Sequence, residues 1–117
     1  MKRNPALIVL ALGLVATTAQ AAGNVERGQE LATKKYVCAS CHGADFASPI
    51  DPSYPKLAGQ HRDYLRFALI AYQKGDHPVF GRGNAIMGAQ AKPLSQQEID
   101  DIAAYLSSLP PSLVLKR

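Results

Sequence analysis

The stretch Cys38-Ala39-Ser40-Cys41-His42 decides how the rest of the chain is read. Two thiols in a C-x-x-C pair, followed directly by an imidazole, can bond the two vinyl groups of one haem while the histidine sits beneath the iron. Two other chemistries use a bare C-x-x-C. A dithiol redox pair works through a lowered thiol pKa and wants a βαβ setting, and no hydrophobic strand runs of that kind surround Cys38. A structural zinc site wants four ligands, and the chain has only two cysteines. His61 and His77 could complete a Cys2His2 set, but their spacing fits no finger pattern. Haem attachment is the preferred reading of these five residues.

The N-terminus reads as an export signal. Lys2 and Arg3 form a basic start, Ala6 to Ala16 is an unbroken apolar run, and Ala19-Gln20-Ala21 is an A-x-A cleavage site, so cleavage is expected after about Ala21. The apolar run is about half of the ~20 residues a helix needs to cross a bilayer, so no stable membrane insertion is expected after cleavage. Export and haem attachment support each other, because bacterial ligation of haem to C-x-x-C-H takes place outside the cytoplasm; the expected location is the periplasm. Residues 22–117 then form a single small domain with a short C-terminal tail, of a size that benefits from a staple beyond its own core. Covalent haem would be that staple.

Charge excludes one class of partner. The whole chain carries 13 basic and 9 acidic residues, a net of +4, and loss of Lys2 and Arg3 leaves 11 against 9, or +2. Two haem propionates would offset much of the remainder. Nucleic-acid binding is therefore not expected.

Outward from the C-x-x-C-H run, a first helix is expected over Asn24 to Tyr36, with Asn24 as N-cap, Glu26 in the first turn and Lys34 and Lys35 in the last. Gly28 inside it costs about 1 kcal/mol relative to alanine, which suggests close approach of a second helix. Gly43 to Gln60 is rich in glycine and proline and reads as a loop wrapping the haem edge. Within it, the carbonyl of Pro55 is the candidate acceptor for the second ring N–H of His42. A middle helix is expected over His61 to Lys74, with Leu65, Ala68, Leu69 and Tyr72 on one face, read as ordinary core, and Gly75 as its stop. Asp76 to Pro93 reads as irregular, and it carries Met87 on a loop. A loop thioether can reach the haem face opposite His42, which makes Met87 the candidate sixth ligand; His77 is the rival, and His61 is read as a surface residue. Ser95-Gln96-Gln97-Glu98 is a capping box that opens a last helix, which Pro110-Pro111 stops. Its stripe of Ile99, Ile102, Ala103 and Leu106 faces inward. Leu113, Val114 and Leu115 make an apolar tail that packs on the body or on a partner.

Taken as an ordered set, Cys38 to Gly43, Tyr54-Pro55-Lys56-Leu57-Ala58-Gly59-Gln60, Tyr64-Leu65, Met87, and Leu94-Ser95 leading to Ile102-Ala103-Ala104-Tyr105-Leu106 resemble the class I c-type cytochromes, in particular the small bacterial periplasmic monohaem kind. The likeness covers nearly all of residues 22–117. It implies an all-α cytochrome c fold, about three to five helices wrapped around one covalently bound haem with almost no strand. By the same resemblance Cys38 and Cys41 carry the thioether bonds, His42 and Met87 are the axial ligands, Pro55 orients His42, and Gly28 packs against the last helix near Tyr105. Two departures are plain: the family commonly has proline after the ligand methionine, whereas here Gly88 follows Met87, and the loop from Gly75 to Met87 is somewhat long.

The function expected is one-electron transfer through Fe(II)/Fe(III) haem c with His/Met ligation, as an electron carrier rather than an enzyme. Its partners would be redox proteins, with the chain a monomer or a weakly associated subunit. Two alternatives are an electron-accepting subunit of a periplasmic dehydrogenase or oxidase, and a small-ligand-binding haem protein. Arg82 and Tyr72 are candidate partners for the haem propionates; a solvated arginine and a core tyrosine are the alternatives for those two residues.

Overall fold

The structure, a computed structural model, describes residues 22–112. The proposed leader (residues 1–21) and the apolar residues Leu113 to Leu115 lie outside the described residues. Among the described residues five helices follow one another: α1 (Val25–Glu30), continued by a π-helical turn over Leu31–Lys35, α2 (Ala39–His42), α3 (Arg62–Lys74), α4 (Ala85–Ala91) and α5 (Gln96–Ser108). There is no strand among the described residues. The all-α expectation holds.

The first and last helices form the frame. Asn24 caps α1, its side chain accepting from the Arg27 N–H at 2.7 Å. Gly28 is where α1 meets α5: a Cβ there would run into the Asp101 carbonyl and lie 2.7 Å from the Tyr105 Cβ. The glycine that weakens the helix locally is thus what lets the two backbones touch. Asp101, 1% exposed, locks the crossing. It accepts from the Asn24 N–H at 2.7 Å, from Arg27 Nε and Nη2 at 2.8 and 3.1 Å, and from Gln97 Nε2 at 3.0 Å. Burial pushes this carboxyl up, but the bonds from Arg27, Asn24 and Gln97 outweigh it and hold the group below the usual range. A buried charge partnered on every side stabilises only while every partner remains.

The capping box at Ser95 is formed in both directions, Ser95 Oγ accepting from the Glu98 N–H at 3.1 Å and Glu98 Oε2 from the Ser95 N–H at 2.9 Å. Glu98 also takes Lys35 Nζ at 2.6 Å and the Tyr36 hydroxyl at 2.9 Å. The bonds from Lys35, Ser95 and Tyr36, led by Lys35, lower its pKa to about 2. Through Glu98 the residues entering the C-x-x-C-H turn are tied to the start of α5.

Between the frame helices, Phe46 anchors the wrapping loop. Fully buried, it stacks edge-on against Tyr105 at 5.8 Å and 87°, and its carbonyl accepts from the Leu57 and Ala58 N–H groups at 2.8 and 3.0 Å. The Gly59 N–H then bonds the Leu106 carbonyl at 2.9 Å. Residues 46–59 are thereby pinned to α5, which places Pro55 against α2.

One expectation fails in this region. Asp76 to Pro93 is not irregular throughout, because Ala85–Ala91 is helical and carries Met87. Asn84 is its N-cap, the side chain accepting from the Met87 N–H at 2.9 Å. The Asn84 cap and the alanines outweigh the glycines before and within the segment, an interior glycine such as Gly88 costing a helix only about 1 kcal/mol.

Candidate haem site

α2, α3, α4, α5 and the loop before α3 enclose a cavity of about 450 Å³. Cys38, Cys41, His42 and Met87, separate in sequence, all line it. So do Leu65, Ala68, Leu69 and Tyr72 on α3; Leu65 also belongs to the hydrophobic core, with Leu69 and Tyr72 packed against it, so the face read as core serves the cavity as well. The periodicity was right, but a hydrophobic stripe cannot reveal whether it packs against protein or against a bound apolar group.

His42, 6% exposed, closes α2. Its Nδ1 lies 2.9 Å from the Pro55 carbonyl oxygen. A carbonyl can only accept, so Nδ1 carries the proton and Nε2 keeps its lone pair, the tautomer a metal requires. The chain leaves α2 at Gly43, φ +89°, where a Cβ would strike the Ser48 carbonyl. It enters through Val37, whose φ of +52° is costly for a β-branched residue and sits directly before Cys38.

Both cysteines are unpaired and half-buried. Burial, the largest influence, pushes the Cys38 thiol up, opposite to the lowered pKa on which a dithiol redox pair depends. No group of three or more His, Cys, Asp or Glu residues gathers among the described residues as a metal cluster, so the zinc reading has no site. His61 and His77 are exposed and do not line the cavity. His77 instead closes its own loop, Nδ1 accepting from the Val79 and Phe80 N–H groups at 3.3 Å each.

Met87 is half-buried on α4. The Gly88 N–H that follows bonds the Asn84 carbonyl at 2.8 Å. Proline at this position could not make that bond. The far end of α4 is capped from α3: Gln73 Nε2 donates to the Ala91 and Leu94 carbonyls at 2.9 and 2.7 Å. Neither Asn84 nor Gln73 had been singled out from sequence. Asn84 carried a readable cap signal before Ala85, whereas Gln73 carried none, since its role depends on where α4 ends in space.

The residues present fit a haem. An apolar slot offers two thiols at one edge, a metal-ready imidazole nitrogen and a thioether, with Leu57, Ile102 and Leu106 excluding water around them.

Fold and site together define a helical protein of the haem c class. The cytochrome c family model matches residues 25–110, and the chain belongs to that family, whose members carry covalently bound haem c. It is 44% identical over 105 residues to cytochrome c4 of Stutzerimonas stutzeri, covering 86% of this chain and 48% of that protein. It is 39% identical over 87 residues to cytochrome c-554(548) of Halomonas halodenitrificans, covering 74% of this chain and 98% of that one. A crystal structure of reduced recombinant cytochrome c4 from Pseudomonas stutzeri superposes with a TM-score of 0.66 at 39% identity, over 76% of this chain and 47% of the other. The chain thus spans about half the length of the cytochrome c4 proteins it matches.

Proposed function

We propose that the chain is a periplasmic one-electron carrier holding one haem c through Cys38 and Cys41, with His42 and Met87 as axial ligands and Pro55 orienting the histidine. When bound, the haem supplies the Fe(II)/Fe(III) couple. Everything else is the work of this chain's own residues. Pro55 keeps the His42 proton on Nδ1. The aliphatic side chains of α3 and α5 exclude water from the slot, and the Met87 thioether, a soft ligand, favours Fe(II) and raises the potential. One C-x-x-C-H run accounts for one haem, and the leader read at residues 1–21 accounts for export. No helix among the described residues is long and apolar enough to cross a membrane. Donor and acceptor would be other redox proteins, meeting the chain through weak contacts suited to a small net charge.

The observation that carries this reading is the convergence of Cys38, Cys41, His42 and Met87 on one cavity with the His42 tautomer set by Pro55. The test is to export the chain in a host with haem-attachment machinery. One covalent haem per chain and a reversible one-electron titration are expected. A haem that extracts into acidified organic solvent, or that stays covalently bound in a Cys38→Ser/Cys41→Ser variant, would overturn the assignment.

A further inference from the structure

His77 lies outside the cavity, yet it organises the loop that delivers α4 to it. The Gly81 N–H bonds the His77 carbonyl at 2.9 Å, closing one α-turn, the first bond of a helix that goes no further. His77 stands where a helix cap stands. Its Nδ1 accepts from the Val79 and Phe80 N–H groups at 3.3 Å each, and Pro78 fills the first position, where a missing N–H costs nothing. The ring also stacks on Phe80, with 5.3 Å between centroids at 23°. Caps of this kind are ordinarily Ser, Thr, Asn or Asp. A histidine there makes the cap titratable near neutrality.

The path from this turn to the methionine helix is short. Between Gly81 and the Asn84 cap of α4 stand only Arg82 and Gly83. The Arg82 N–H bonds the Ala71 carbonyl of α3 at 2.9 Å. Its guanidinium stands over the Tyr64 and Tyr72 rings, 5.4 and 5.7 Å from their centroids, with Nη2 3.4 Å from the Tyr64 hydroxyl. The Asp76 carboxylate packs beneath Gly83, and a Cβ at Gly81 would strike the Gly75 carbonyl, so the closed turn lies against the end of α3. While it is closed, α4 has one place to start from.

Only an unprotonated Nδ1 can accept a hydrogen bond. A proton there costs the turn both cap bonds and sets a donor against two donors. The charged residues adjoining the turn are Lys74, whose carbonyl accepts from the His77 N–H at 3.3 Å, Asp76 and Arg82; α4 carries none. Among the described residues no ion pair involves the imidazole. Of these side-chain types only histidine ordinarily changes charge between about pH 5 and 8.

We propose that His77 is a positioning residue for Met87: unprotonated, it caps the turn that sets α4 and keeps the thioether at the iron, and protonated, it releases that turn and loosens methionine ligation. This rests on the His42/Met87 reading above. The closed turn bonds the neutral ring alone, so proton uptake favours the open turn, and ligation is firm above the ordinary histidine range and weakens as pH falls through it. Two long bonds to an exposed ring limit the effect to several-fold, roughly tenfold at most, in the ratio of methionine-bound to methionine-free iron.

The test titrates the ferric holoprotein with imidazole, which competes with the thioether, at about pH 8 and about pH 5.5, for the wild type, His77→Asn and His77→Phe. Asparagine can accept from the same N–H groups and does not titrate; phenylalanine keeps the stacking and cannot accept. Dissociation constants are compared at one pH, so protonation of the probe cancels. At the higher pH the wild type and His77→Asn should agree, and His77→Phe should bind imidazole several-fold more tightly. At the lower pH the wild type should join His77→Phe, leaving His77→Asn the weakest binder. A ratio of wild type to His77→Asn that is the same at both pH values, the result of a merely structural role, would overturn the proposal. So would a His77→Phe variant that matches the wild type at the higher pH. A wild type without covalent haem, or without the charge-transfer band of thioether-bound ferric iron, removes the His42/Met87 reading itself and the proposal with it; both are recorded before any imidazole is added.

Discussion

His42 and Met87 face the same cavity from mountings of opposite character. His42 is buried, its ring bonded to the Pro55 carbonyl, and the loop that carries Pro55 is pinned through Phe46 and Gly59 to α5. Met87 rides on a seven-residue helix whose surface is largely exposed and whose ties are a cap at Asn84, the bond from Gln73 to Ala91 and the burial of Ala91 in the core. The histidine side can move only if the frame of α1 and α5 moves. The methionine side can shift while the frame stands. Global stability and methionine ligation should therefore respond to different substitutions.

The largest effect is expected at the frame. Gly28→Val must drive side-chain atoms into the Asp101 backbone and Tyr105, and should cost about 3 kcal/mol of unfolding free energy in urea titration. Loss of methionine ligation in this variant with an unchanged urea midpoint would erase the distinction between the two mountings. Next comes Gln73→Ala, which takes the side-chain donor from the Leu94 carbonyl and leaves the Ala91 carbonyl with the Leu94 N–H alone. It should cost about 1–2 kcal/mol, and its signature should be carbon monoxide binding to the reduced protein at neutral pH, with His42 still in place.

The acid limb of stability belongs to the frame. Glu98 has a folded pKa of about 2, held down first by Lys35, against roughly 4.3 for a free glutamate. A lowered folded pKa means the stabilisation is present above the unfolded value and is lost as pH falls from there towards 2. Glu98→Gln should flatten the stability curve across that window without abolishing its slope, because Asp101 is shifted in the same direction. An unaltered curve would remove Glu98 as a clamp between the C-x-x-C-H entrance and α5. The smallest change sharpens the contrast from the other side. A Cβ at Gly88 meets only the Tyr72 carbonyl, at 3.8 Å, so Gly88→Ala should firm α4 by about 0.5–1 kcal/mol and let methionine ligation survive to a higher temperature in a spectroscopic melt.

The same contrast explains what was legible in the sequence. The frame was readable because its signals are local: Asn24 as a cap, the Ser95–Glu98 box, and a glycine inside a helix that needed a reason, met by Asp101 and Tyr105. Pro55 could be proposed as the carbonyl facing His42 from the known habit of ligand imidazoles. Helix α4 is hard to see in the sequence because Gly81 and Gly83 stand before it and Gly88 within it, and only the Asn84 cap signals its start. The α3 stripe was legible as core, where Leu65 sits with Leu69 and Tyr72 against it, but its second role in lining the cavity was not, because both kinds of packing have the same period. Asp101, Gln73 and the Tyr64–Arg82 contact join residues brought together only by the fold, and no spacing announces them.

The most direct measurement is the optical spectrum of the ferric holoprotein in the red region, where iron bound to a thioether sulfur gives a weak charge-transfer band, recorded for the wild-type chain and for Met87→Ala. With His42 and Met87 as the axial pair, the band is present in the wild type and absent from the variant, while the covalent haem remains. A haem-loaded wild type without the band, or a Met87→Ala variant that keeps it, would contradict the account.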